Sequence, residues 1–234
     1  MSKVTVDLGS PSLYAEPTSL RYRLVRRISY RPVWKHVRPL LRNDKEFSLL
    51  EVGTGSGYFL EMIERTIPAA KVFGIEYDPR LVQITTDKVK RAVVYQGDAE
   101  SLAFSHRFDV IVSFQVIEHL YQPERLIRGA KAHLKRGGYL VFSTPNLDCL
   151  AARVMGQRWH GYRKDHVSLK SRAAWSRMAR SEGFREIYSG STFFSGLPGM
   201  RNSPFAAVNV ALLLLFGTLR WNLGESFVGV YELE

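Results

Sequence analysis

The chain is short of cysteine, of acid and of long apolar runs, and each shortage narrows what it can be. Its one cysteine, Cys149, cannot close an internal disulfide. The first twenty residues hold no apolar stretch of signal-peptide type followed by a cleavage site. The most apolar segment, "FAAVNVALLLLFGTL" at residues 205–219, is interrupted by Asn209 and falls short of the ~20 residues that span a bilayer. A cytoplasmic location is the expectation. Acids number 22 against 33 lysines and arginines, a formal charge of +11 and a pI near 9.9. Something negative is therefore expected nearby: a phosphate-bearing substrate, RNA or an anionic membrane surface. Charge alone does not choose among them. No internal repeat or low-complexity tract is present.

What is there fits one α/β domain with decorations, because 234 residues with 45% apolar composition can bury a full core. The basic residues gather in two stretches. Residues 21–45 carry nine against one acid, Asp44, and residues 153–185 carry nine against two, Asp165 and Glu182. Between them, short apolar runs alternate with amphipathic segments, the pattern of βα units that build a parallel sheet. Strands are expected at Phe47–Val52, Lys71–Glu76, Ala92–Gln96, Phe108–Ser113 and Tyr139–Ser143. Helices are expected at Gly57–Ile67, Pro79–Val89 and Pro123–Leu134, the last stopped by Gly137 and Gly138. Together these predict a doubly wound sheet with right-handed crossovers.

In such a sheet, ligands sit at the carboxyl ends of the strands, beside the first strand-to-helix turn. That turn is "EVGTGSG", residues 51–57. Gly53, Gly55 and Gly57 let the backbone bend tightly and approach a ligand, while the following helix start offers free N–H groups. Glu51 before them repels a pyrophosphate but suits an ammonium group. Glu76 ends the second strand, where a carboxylate accepts hydrogen bonds from ribose hydroxyls. The expected ligand is a nucleoside with a cationic tail. Two plainer readings stand beside this one: the glycines form a tight connection only, and Asp98 caps the next helix.

These residues resemble the class I S-adenosylmethionine-dependent methyltransferases, whose first motif is an acid followed by G-x-G-x-G. The resemblance runs on through "GIEYDP" at 74–79, "GDAESLAF" at 97–104, "FDVIVSFQVIEHL" at 108–120 and "LKRGGYLVFSTPN" at 134–146. More narrowly, it is similar to the ubiquinone-biosynthesis-type enzymes and relatives acting on small molecules, lipids or saccharide precursors. The resemblance implies a Rossmann-like, mostly parallel seven-stranded sheet, with "GESFVGVYELE" supplying the closing strand in residues 224–234. It implies S-adenosylmethionine as cofactor. Glu51, Gly53, Thr54, Gly55 and Gly57 would hold the methionine part, Glu76 the ribose, Tyr77 one adenine face, Asp98 the adenine amino group and the Ala99 N–H the ring. Phe114 and Gln115 would line the sulfonium and acceptor side.

Methyl transfer to a hydroxyl needs in-line positioning, which can supply ~7 to 11 kcal/mol, and a base to take the proton. His119, in "IEHL" at the mouth of the crevice, and His166, in "RWHGYRKDHVS", are the candidates, with His160 nearby; an ordering role for His119 and a structural role for His166 are the alternatives. Trp159 and Tyr162 suit either packing or a planar acceptor. No metal is expected, because the histidines show no compact carboxylate or cysteine cluster at ligand spacing.

Around the core at 46–148, a basic helical extension occupies 1–45, with residues 21–42 broken into two helices at Pro32. A cap at 149–223 contains a helix near Ser171–Glu182 and a strand near Phe184–Tyr188, and 205–219 forms either a buried cap helix or a face resting on lipid. The expected function is methyl transfer to oxygen of a small-molecule or lipid-linked acceptor, with contact to anionic membrane as a further partner. A nucleic-acid methyltransferase is the first alternative. It lacks support from "SFQV", which departs from the Asn/Asp-Pro-Pro-Tyr/Phe motif, and from any attached RNA-binding module. A non-catalytic cofactor-binding scaffold is the second. The oligomeric state is not legible.

Overall fold

The computed structural model describes residues 30, 33–40, 46–192, 211, 215 and 217–234. Seven strands form one sheet: β1 (Ser48–Val52), β2 (Lys71–Glu76), β3 (Val93–Gln96), β4 (Phe108–Phe114), β5 (Leu134–Pro145), β6 (Phe184–Ser191) and β7 (Ser226–Leu233). Their spatial order is β3-β2-β1-β4-β5-β7-β6. All neighbours from β3 to β5 pair in parallel, and β7 enters antiparallel between β5 and β6. The order reverses at β1, so the turn after β1 and the end of β4 flank a switch point, the place where open α/β sheets bind ligands.

The two faces of the sheet follow from strand alternation. In β1, Leu49 joins an apolar cluster with Phe59 and Ile63 of α1 (Tyr58–Thr66), whereas Leu50 and Val52 join an opposite cluster with Leu126, Ile127 and Ala130 of α3 (Pro123–His133). Leu49 and Leu50 are fully buried, each contributing about 1.5–3 kcal/mol of transfer free energy. Helix α2 (Pro79–Lys88) has Asp78 as its N-cap, whose side chain accepts from the Arg80 N–H. Helices α4 (Leu150–Met155) and α5 (Arg172–Ser181) follow β5, and α5 packs on β6.

One expected boundary is wrong. Gly137 and Gly138 do not stop α3, which ends at His133; Leu134 already pairs with Phe108 in the sheet, and the register shifts before Val110 meets Tyr139. The glycines lie in that bulge. Gly137 takes φ 72°, and a Cβ on Gly138 would sit 2.8 Å from the Lys135 carbonyl oxygen.

The expected helical extension is described only at residue 30 and residues 33–40. Residues 33–37 are helical and bury Val33, Trp34 and Val37 against the β1–α1 face, with Trp34 edge-on to Phe59. This part packs on the domain by its apolar side. The expected break at Pro32 lies outside the described residues. So does most of the 205–219 segment, of which Ala211 and Leu215 are helical and exposed. Among the described residues no helix is long and apolar enough to cross a membrane.

Candidate active site

The glycine turn has a division of labour. All three glycines take positive φ, which favours glycine. A Cβ on Gly53 would lie 2.3 Å from Val116, and one on Gly57 2.7 Å from Thr85, so these two permit close packing of the turn on its neighbours. A Cβ on Gly55 would meet nothing within 4 Å. Gly55 is thus the glycine that faces open space, on the wall of a cleft of about 930 Å³.

The cleft brings together most of the residues singled out in the sequence: Gly53, Thr54, Gly55, Glu76, Tyr77, Asp98, Ala99, Phe114, Gln115, His119 and His166. It does not bring Glu51 or Gly57 onto its wall. Glu51 is 1% exposed at the end of β1, and Gly57 is turned toward α2. Glu51 is therefore placed off the cleft wall.

Glu76 is held by backbone. Its Oε2 accepts from the Gly55 N–H at 2.8 Å, and its Oε1 from Tyr77 N–H at 2.8 Å and Asp78 N–H at 3.1 Å. Three of the roughly four lone-pair sites of a carboxylate are used, leaving one for a ligand hydroxyl. Burial raises the Glu76 pKa above the usual carboxylate value, against the opposing effect of those N–H groups. Asp98 Oδ1 accepts from the Glu100 N–H at 2.8 Å, so it caps its own turn while lining the cleft. Tyr77 is 65% exposed. Gln115, at the tip of β4, has φ 56°, the one non-glycine positive φ among the described residues. Its N–H donates to the Ser143 carbonyl at 2.8 Å and its Nε2 to Ser143 Oγ at 3.3 Å. A strained residue held by a neighbouring strand is a mark of a functional wall.

At the other end of the cleft, the Nδ1 atoms of both histidines contact carbonyl oxygens, His119 that of Asp165 at 3.0 Å and His166 that of Gly161 at 2.7 Å. A carbonyl only accepts, so Nδ1 carries a proton in each ring, and in the neutral form of His119 Nε2 holds the lone pair. The rings meet edge to face, 4.8 Å apart. Burial, and then His166, lower the His119 pKa below its ordinary value, against the pull of Asp165. A neutral ring with a free Nε2 is the form a general base requires. His160 also lines the cleft, with Nδ1 3.7 Å from Glu225. Trp159 is buried with Cys149, Ala151 and Ala152, which is a packing role.

Sequence reasoning missed Glu118, Asp165, Arg163, Glu225 and Tyr30, all of which line the cleft. Glu118 is fully buried, and burial pushes its carboxyl up to about 8 against the opposing effect of its own backbone N–H and the Thr144 hydroxyl. Its ligating atoms and those of His119 and His166 lie within 4.8 Å of one another. The expectation that no carboxylate accompanies the histidines is therefore corrected: one carboxyl and two imidazoles stand at a spacing that could hold a divalent cation. The adjacency of Glu118 and His119 was visible in "IEH", but not the return of His166 beside them.

The family model described as "Methyltransferase domain" matches residues 24–189, which carry the turn, the carboxylates and both histidines. The chain belongs to this family. The chain is 27% identical over 157 residues to the malonyl-[acyl-carrier protein] O-methyltransferase of Paenibacillus, covering 61% of this chain and 57% of that one. It is 29% identical over 118 residues to the mitochondrial ubiquinone biosynthesis O-methyltransferase of Candida albicans, covering 47% and 36%. These matches span only about a third to three fifths of the relatives' lengths. A solved SAM-dependent methyltransferase from Thermotoga maritima superposes with a TM-score of 0.68 at 22% identity, over 92% of this chain and 93% of that one. That likeness supports the Rossmann-like methyltransferase fold.

Proposed function

We propose that the protein transfers a methyl group from S-adenosylmethionine to an oxygen of a small-molecule or lipid-linked acceptor. The observation that carries the cofactor reading is the open cradle at Gly55 beside a fixed carboxylate: a space that a Cβ would enter, with one lone-pair site of Glu76 unfilled. The donor and acceptor set fits a nucleoside, with Glu76 for ribose hydroxyls, Tyr77 against an adenine face, and Asp98 and the Ala99 N–H for the ring edge. When bound, S-adenosylmethionine supplies an electrophilic methyl on a sulfonium.

The rest is the work of the chain. Phe114 and Gln115 line the sulfonium and acceptor side of the cleft. His119 Nε2 accepts the proton of the acceptor hydroxyl, and the Asp165 carbonyl on Nδ1 holds the ring in that tautomer while the carboxylate, 3.4 Å away, favours the imidazolium that forms. The curated relatives named as O-methyltransferases support an oxygen acceptor. The test is incubation with methyl-13C-labelled S-adenosylmethionine and fractionated small-molecule and lipid extracts. A methoxy carbon in the product supports the reading. Label found only on nitrogen, carbon or nucleic acid refutes it.

A further inference from the structure

We propose that the rim of the cleft is a docking surface for an anionic lipid bilayer, which presents a lipid-linked acceptor to the site; this rests on, and narrows, the acceptor reading above. Among the described residues, eight large hydrophobic side chains are exposed, and four of them, apart from Tyr77 at the cofactor end, belong to the cleft or the segment that flanks it. Tyr121 lines the cleft itself and is 83% exposed. Val154, Tyr162 and Val167 stand in the stretch that also supplies His160, Arg163, Asp165 and His166 to its wall.

Cations are interleaved with these apolar side chains. Arg153, Arg158 and Lys164 are exposed and pair with no acid among the described residues. Exposed valines and tyrosine rings among unpaired cations match a membrane interface, where apolar groups enter the headgroup region and cations meet anionic lipid. A nucleic-acid backbone would use the cations but gain nothing from Val154 and Val167. The same segment lines the cleft beside His119, with the His166 ring 4.8 Å from that of His119, so a lipid bound on it would reach the acceptor side without leaving the bilayer.

The test is co-sedimentation with vesicles of phosphatidylcholine alone or mixed with phosphatidylglycerol, at low and high salt. The wild type is compared with R153E/R158E/K164E and with a control of equal charge change, K90E/K131E/R136E, placed near the opposite ends of the strands. Cofactor binding by each variant is measured calorimetrically in the same preparations. The expected result is binding to the phosphatidylglycerol vesicles that weakens with salt, falls at least about fiftyfold in the rim variant and little in the control. Absence of binding to anionic vesicles, equal loss in both variants, or displacement from the vesicles by transfer RNA at equal charge would overturn the proposal. Vesicle binding by a protein that does not bind S-adenosylmethionine would support the surface while refuting the cofactor reading.

Discussion

Replacing Glu76 by alanine should weaken cofactor binding sharply while leaving the fold in place. The carboxylate accepts from the backbone N–H groups of Gly55, Tyr77 and Asp78 and retains one site for a ligand. A hydrogen bond to a charged group contributes about 1.5–3 kcal/mol, which corresponds to a loss of roughly ten- to 150-fold in affinity. Release of the three N–H groups also unties the Gly55 turn from the end of β2, so the effect should sit in the upper half of that range. Glu76→Gln keeps the volume and one carbonyl oxygen, and should lose less. The assay is calorimetric titration with S-adenosylmethionine and its demethylated product, with a urea unfolding curve to show that each variant is folded. A folded Glu76→Ala variant whose affinity changes less than about threefold would refute the assignment of the ribose to this carboxylate.

Gly53→Ala should lower stability by several kcal/mol, since the added methyl meets Val116 at 2.3 Å and the left-handed backbone adds strain; Gly55→Ala should cost only about 1–2 kcal/mol but weaken cofactor binding. Melting temperatures and titrations of the two variants read this contrast, and an equal loss of stability would refute the division of labour between the glycines. His119→Ala should slow methyl transfer without changing cofactor affinity, and the wild-type rate should fall only as pH drops below about 6.5, because the folded ring titrates lower than the free one. A pH–rate profile whose acid limb lies above that value would contradict the role. The raised Glu118 carboxyl keeps its proton in the folded state to about pH 8, so its contribution to stability declines from about pH 4.5 upward through 8. Glu118→Gln should remove that decline, measured as a gain in stability over wild type that is larger at pH 8 than at pH 5; a constant difference would show that the carboxyl is ionised in the fold.

Much of the cofactor end was legible because it is local in the chain. Glu76 closes β2, Tyr77 follows it, and Asp98 and Ala99 come just after β3, and strand periodicity locates those ends within a residue or two. The same locality misled at Gly137 and Gly138, where a glycine pair after an amphipathic helix reads as a stop, while the bulge between β4 and β5 is a property of two strands. The acceptor end depends on chain returns that no short pattern announces. His166 comes back against Glu118 and His119, and Tyr30 reaches Phe114 at 5.4 Å between ring centroids. Glu51 shows the converse: the motif marks its position, but only the packing of the turn reveals that it stands behind the wall.

The account stands most directly on whether the cleft binds its cofactor. Calorimetric titration of the wild-type protein with S-adenosylmethionine, followed by competition with the demethylated product, measures this without knowledge of the acceptor. Saturable one-to-one binding in the micromolar range, displaced by the product and weakened in Glu76→Ala, is the predicted result. No heat and no competition from a folded protein would contradict the account and leave the glycine turn as a connection between a strand and a helix.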